Sequence, residues 1–157
     1  MVAGMRLLAA AAIVCWLGVM GFFAAVVAPA AFAALDREAA GRFVAAIFPR
    51  YYAVGVGLGG LALLALLLRL PLRDGRPGGW LSLLLVAAML GSTLYAWLVV
   101  LPAAHAAREA LRLAAPSAGA VSTEGLAFTR LHRLSSLLNG VSMLAGVLGL
   151  VAMGLRR

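Results

Sequence analysis

The chain has 157 residues, 65% of them hydrophobic and only 11% charged, with thirteen basic side chains against five acidic ones and a net charge of +8. Globular chains are about half apolar and a quarter charged, so a water-soluble fold has no means of hiding this much apolar surface. The basic excess is all arginine and gathers at the ends of apolar stretches, with no basic run interleaved by aromatics, which points to lipid headgroups and speaks against a nucleic-acid partner.

Four stretches, about 7–31, 51–68, 80–101 and 134–155, contain no charged residue. Each has the length of a helix that crosses a hydrocarbon core, roughly 17 to 25 residues. The expected fold class is therefore all-α, an integral membrane four-helix bundle with short interfacial helices, and the whole chain, 1–157, reads as a single four-span domain. The lipid bilayer is its first partner.

Arg6, the apolar run after it and the tripeptide Ala31-Phe32-Ala33 imitate a secretory signal, but signal cores are about 7 to 15 residues, so the first span is expected to be retained. Cys15 lies in mid-span and is the sole cysteine, so no intrachain disulfide is available and the thiol reads as a packing residue. From Phe32 to Phe48 charged and apolar residues mix at helical spacing, which predicts an interfacial helix capped by Asp36. Pro49 biases Phe48 away from helical geometry, so the second span is expected to begin afresh at Tyr51, with Tyr51 and Tyr52 at the membrane boundary.

Gly55 and Gly59 form a small-xxx-small pair in the second span, a surface for close helix approach. Residues 69–79 are short and rich in Pro and Gly, making spans two and three antiparallel neighbours. Span three opens on Trp80 and closes at Pro102, beyond which His105, Arg108 and Arg112 share one helical face; residues 114–123 read as a loop, and Thr123 and Glu124 start a helix that runs into span four. No internal repeat is evident. Arginine density in the shortest segments puts both termini on the cytoplasmic side, and the Leu, Ala, Gly and Arg bias without Lys suggests the inner membrane of a bacterium.

His132, Ser135, Ser136, Asn139, Ser142, Met143, Gly146 and Gly149 follow one side of the fourth span, and Asn139 is the chain's sole side-chain amide. An amide in hydrocarbon must find a partner. Two readings follow: these groups bond helices together, or they line an outer-side pocket made by His132, Ser135 and Asn139 and closed by Phe48, Tyr51 and Tyr52. His105 and His132, the two histidines, are a weaker candidate pair for haem or copper. No catalytic triad, paired carboxylates or phosphate loop occurs, and no acid lies within a span, so an enzyme or proton-driven pump is disfavoured.

Phe48-Pro49 followed by Tyr51-Tyr52, then Phe128, His132, Ser135 and Leu138-Asn139 as F-x3-H-x2-S-x2-LN, resemble the transmembrane-protein-205-like family of small four-helix membrane proteins, a domain of unassigned biochemical function. The resemblance extends from Gly21-Phe22-Phe23 and Pro29 through span four and implies a four-helix membrane domain with His132, Ser135 and Asn139 in its most distinctive motif. Copper-resistance D-type proteins and haem-linked membrane oxidases are more loosely similar, but this chain lacks their several intramembrane histidines. The expected function is binding of a small ligand or a partner helix at the polar pocket. The alternatives are a haem or copper redox protein using His132 and His105, or a small subunit of a larger membrane complex or homo-oligomer docking through the Gly55 and Gly59 face.

Overall fold

A computed structural model describes residues 2–69, 78–113 and 123–154. Among these, α1 (Val2–Phe22) and α2 (Ala28–Ala34) are fused by a π-helical turn at Phe23–Val27, α3 (Arg37–Leu67) stands alone, α4 (Gly78–Tyr95) and α5 (Leu101–Leu113) are fused by a second π-helical turn at Ala96–Val100, and α6 (Thr123–Gly154) completes the chain. The result is four continuous rods and, among the described residues, no strand. The connections expected around 69–79 and 114–123 fall mostly outside the described residues.

All four rods are long and apolar enough to cross a membrane, and fewer than half of the residues in the most apolar part of each are buried by protein. Leu7, Leu64, Leu84, Leu98, Leu137 and Leu144 face outward. A surface of that kind is stable against lipid tails, and the chain is an all-α, multi-pass membrane protein.

Each rod packs on the next around a ring, one on two, two on three, three on four, and four on one. Rods one and three, and rods two and four, thus face each other across the interior. Trp16, Ile13 and Met20 of α1 and Val86 and Met89 of α4 are fully buried there. The Gly55–Gly59 pair does provide close approach, but within the chain itself: the Trp16 indole lies on Gly55 and the Leu90 side chain on Gly59. That face is consumed by rods one and three and is not open to a neighbouring subunit.

The π-helical turns correct the expectation that the chain lacks a repeat. Val26-Val27-Ala28-Pro29-Ala30-Ala31-Phe32-Ala33-Ala34 matches Val99-Val100-Leu101-Pro102-Ala103-Ala104-His105-Ala106-Ala107 at all positions but the third and seventh, and both π-helical turns end on the second valine. Proline removes an N–H and crowds the carbonyl four residues back. Widening the helix just upstream, with Ala28 N–H donating to Phe23 and Leu101 N–H to Ala96, lets each rod pass its proline unbroken.

Pro49 does not break rod two either. Its ring is exposed, Arg50 donates from its guanidinium to the Ala46 carbonyl at 3.2 Å, and burial of Ala40 before it and Tyr51 after it holds both halves of α3 in line. The expected interfacial helix and second span are one helix of 31 residues, about 46 Å long against a hydrocarbon core of about 30 Å.

Residues 37–50, α5 and the start of α6 all extend past their apolar stretches at the same end of the bundle, here termed the long end. Asp36 caps α3 as expected, its carboxylate accepting from the Glu38 and Ala39 amides at 3.0 and 2.8 Å. Arg108 of α5 donates to the Gly41 and Glu38 carbonyls of α3, lying so close to Gly41 that a side chain there would displace it. Glu38 also pairs with Arg42 and Arg112, at 2.7 and 3.2 Å, an exposed cluster that fixes register more than it stabilises.

Candidate functional site

The polar side of α6 divides once the helix is packed. Ser135 and Asn139 are half-buried and turned inward, Ser142 is fully buried, and Gly146 and Gly149 receive the side chains of Leu17 and Val86. His132 and Ser136 are exposed, and Ser136 donates to the His132 carbonyl of its own helix at 3.0 Å. His132 stacks on Phe128, ring centroids 6.3 Å apart, and His105 is exposed on α5. Among the described residues, no group of three or more His, Cys, Asp and Glu stands together as a metal site.

Opposite Ser135 and Asn139, across the bundle, stand Tyr51 and Tyr52 of α3. Both follow directly on Arg50, at the edge of the uncharged part of α3, and both are buried in the bundle interior. Tyr51 Oη donates to Asn139 Oδ1 at 2.9 Å, and Tyr52 Oη and Ser135 Oγ share a hydrogen bond of 3.3 Å. The phenol groups reach between rods that do not pack side by side, which only a long side chain with a polar tip can do.

Aromatic rings enclose this tier. Phe48 stacks on Tyr52 at 5.8 Å and meets Tyr51 edge-on at 6.1 Å, which brings it together with both tyrosines. Two further rings come from rod one and were not anticipated: Phe23, presented by the π-helical turn, lies 5.1 Å from Tyr51, and Trp16 lies 4.8 Å from it. A tryptophan at mid-span rather than at the headgroup belt was the legible signal for the second.

Deeper in the bundle a second polar tier joins rods three and four. Ser142 Oγ lies 2.7 Å from Ser92 Oγ and 3.0 Å from Thr93 Oγ1, and all three hydroxyls are within 3.0 Å of the Met89 carbonyl. Hydroxyls arranged this way satisfy one another, so this tier is helix-bonding chemistry. The Tyr51–Asn139 tier differs. Trp16, Tyr51, Tyr52, Ser135 and Asn139 together carry six donor hydrogens, and their two mutual bonds use two of them, whichever way the amide is turned. The Trp16 indole N–H is buried with no acceptor among the described residues.

Residues 11–112 match the model of a family described as Domain of unknown function (DUF4149). No curated protein and no solved structure matches the chain. The matched segment takes in Trp16, Phe23, Phe48, Tyr51 and Tyr52, and stops short of α6, where Ser135 and Asn139 reside.

Proposed function

The chain belongs to this family of unknown function, and we propose that it is a non-enzymatic membrane protein that binds a small ligand at the tier formed by Tyr51, Tyr52, Ser135 and Asn139. The observation that carries the reading is the pair of hydrogen bonds between rods two and four. Side chains, not backbone packing, close the interior at that depth, and unused donors remain there.

The proline-interrupted repeat supports the same location. Matching interruptions in two halves of a membrane chain mark the place where a ligand is held between them, and the first of these π-helical turns delivers Phe23 onto Tyr51. His132, exposed on α6 and stacked on Phe128, is left out of this proposed tier. The positive-inside pattern makes the long end the outer face of a bacterial inner membrane, with both termini cytoplasmic, and one four-span domain spans the whole chain. The likeness to the transmembrane-protein-205-like family is part of this reading, since its distinctive motif lies on the α6 residues that contribute to the tier.

The test is native mass spectrometry of the protein released from nanodiscs made from its own host membrane. A small-molecule adduct on the unsubstituted chain, lost in Asn139→Leu and retained in Ser136→Ala, is the expected result. A bare chain in all three, or a protein partner in place of an adduct, overturns it.

A further inference from the structure

Resting on the ligand site proposed above, we infer that its occupant is a planar, uncharged molecule bearing carbonyl oxygens, of the quinone class, and that Trp16 is one of its binding residues. Charge is the first constraint. Among the described residues, no Arg, His, Asp or Glu shares the tier's hydrogen bonds or ring contacts; Arg50 and Arg108 donate to backbone carbonyls of the long end, and Arg133 is exposed. An ion drawn into this interior would lose its hydration with no counter-charge to replace it.

Shape is the second constraint. Trp16, Phe23, Phe48, Tyr51 and Tyr52 form one connected set of rings, with neighbouring centroids between 4.8 and 6.1 Å. Phe23 and Phe48 are only partly buried, and the uncovered part of their rings offers a flat molecule an offset-stacked contact at the edge of this set, whereas an acyl chain gains nothing from it beyond area.

Hydrogen bonding is the third. Trp16 Nε1 is a donor that cannot accept, and it is buried without a partner in a part of the bundle that water does not readily reach. An unpaired N–H in that setting is costly, and the remaining donors on Asn139, the tyrosines and Ser135 add to the demand. A ligand of carbonyl oxygens supplies acceptors without bringing competing donors. The Trp16 indole also rests on Gly55, so its ring is held in place by contact with rod two before any ligand arrives.

The experiment uses the full chain in nanodiscs of neutral lipid with Trp80→Phe and Trp97→Phe, which leaves Trp16 as the sole indole. Titration with menadione, a tailless naphthoquinone, is expected to quench Trp16 emission saturably with one molecule per chain. Asn139→Leu, and replacement of menadione by naphthalene, should each weaken binding by about tenfold or more, the loss of a buried hydrogen bond. Calorimetric titration of the chain with all three tryptophans is expected to give the same ranking, with Trp16→Phe weakened to a similar degree, and decides the matter if the double substitution prevents folding. Quenching that rises without saturation, equal affinity for naphthalene, or a preference for the anion 1-naphthoate overturns the inference. An adduct that still depends on Asn139 in the mass spectrum would then leave the site standing and the ligand class refuted.

Discussion

Tyr51 and Asn139 belong to rods that face each other across the bundle, and a single hydrogen bond of 2.9 Å joins them. Removing one partner leaves the other unpaired in an interior without ready access to water. Asn139→Leu is expected to cost about 1–2 kcal/mol. In a thermal unfolding series in detergent, Tyr51→Phe combined with Asn139→Leu should cost less than the sum of the two single changes. Simple additivity would show that the two groups do not interact.

Gly55 and Gly57 are two residues apart on α3 and opposite in consequence. A Cβ on Gly55 collides with the Trp16 indole, whereas one on Gly57 meets open space. Gly55→Ala is expected to destabilise by about 1–3 kcal/mol, as over-packing of a tight contact does, and Trp16→Leu in the same chain to relieve part of that. Gly57→Ala should stay within about 0.5 kcal/mol of the parent. Equal melting temperatures for the two alanine variants would refute the packing of rod one on rod two.

Ser142 is the hydroxyl through which rod four bonds rod three, reaching the Met89 carbonyl and both Ser92 and Thr93. Ser142→Ala should lower stability by about 1 kcal/mol. Ser136→Ala is the control, because that hydroxyl bonds a carbonyl of its own helix on the exposed face, and it should be close to neutral. Measured losses in the reverse order would place the polar side of α6 on the wrong face.

Asp36 links the start of α3 to pH. The Ala39 amide, and after it the Glu38 amide and Arg42, hold its carboxyl below the ordinary carboxylate value. A carboxyl depressed in the folded chain stabilises it above the unfolded pKa, and that contribution fades as pH falls through the lower, folded value. Hydrogen exchange at Glu38 and Ala39 should therefore lose protection on acidification below about pH 4. Asp36→Ala should lose it at every pH, while Asp36→Asn keeps the cap and loses the pH dependence. Unchanged protection in Asp36→Ala would remove the cap from the account.

The membrane spans and the cap at Asp36 were legible because each depends on a few neighbouring residues. Ser135 and Asn139 were legible for a related reason: polar groups in an apolar helix have few places to go. Pro49 misled because proline's local bias was outweighed by burial of α3 on both sides of it. The repeat around Pro29 and Pro102 escaped notice in sequences rich in Ala and Val, where matches carry little weight, and became evident through the π-helical turn that each proline accompanies. Ser92 and Thr93, adjacent hydroxyls within an apolar span, offered a signal that was passed over.

By itself the sequence determined the solvent: uncharged stretches of spanning length, with every arginine between or beyond them, require lipid around four helices whatever their arrangement. Tertiary structure alone decided which polar groups meet. Local periodicity places Asn139 on a face of its helix but holds no information about what stands opposite. That Tyr51 comes from the far side of the bundle, with Trp16 beside it and His132 turned away, follows from how four rods pack around one interior.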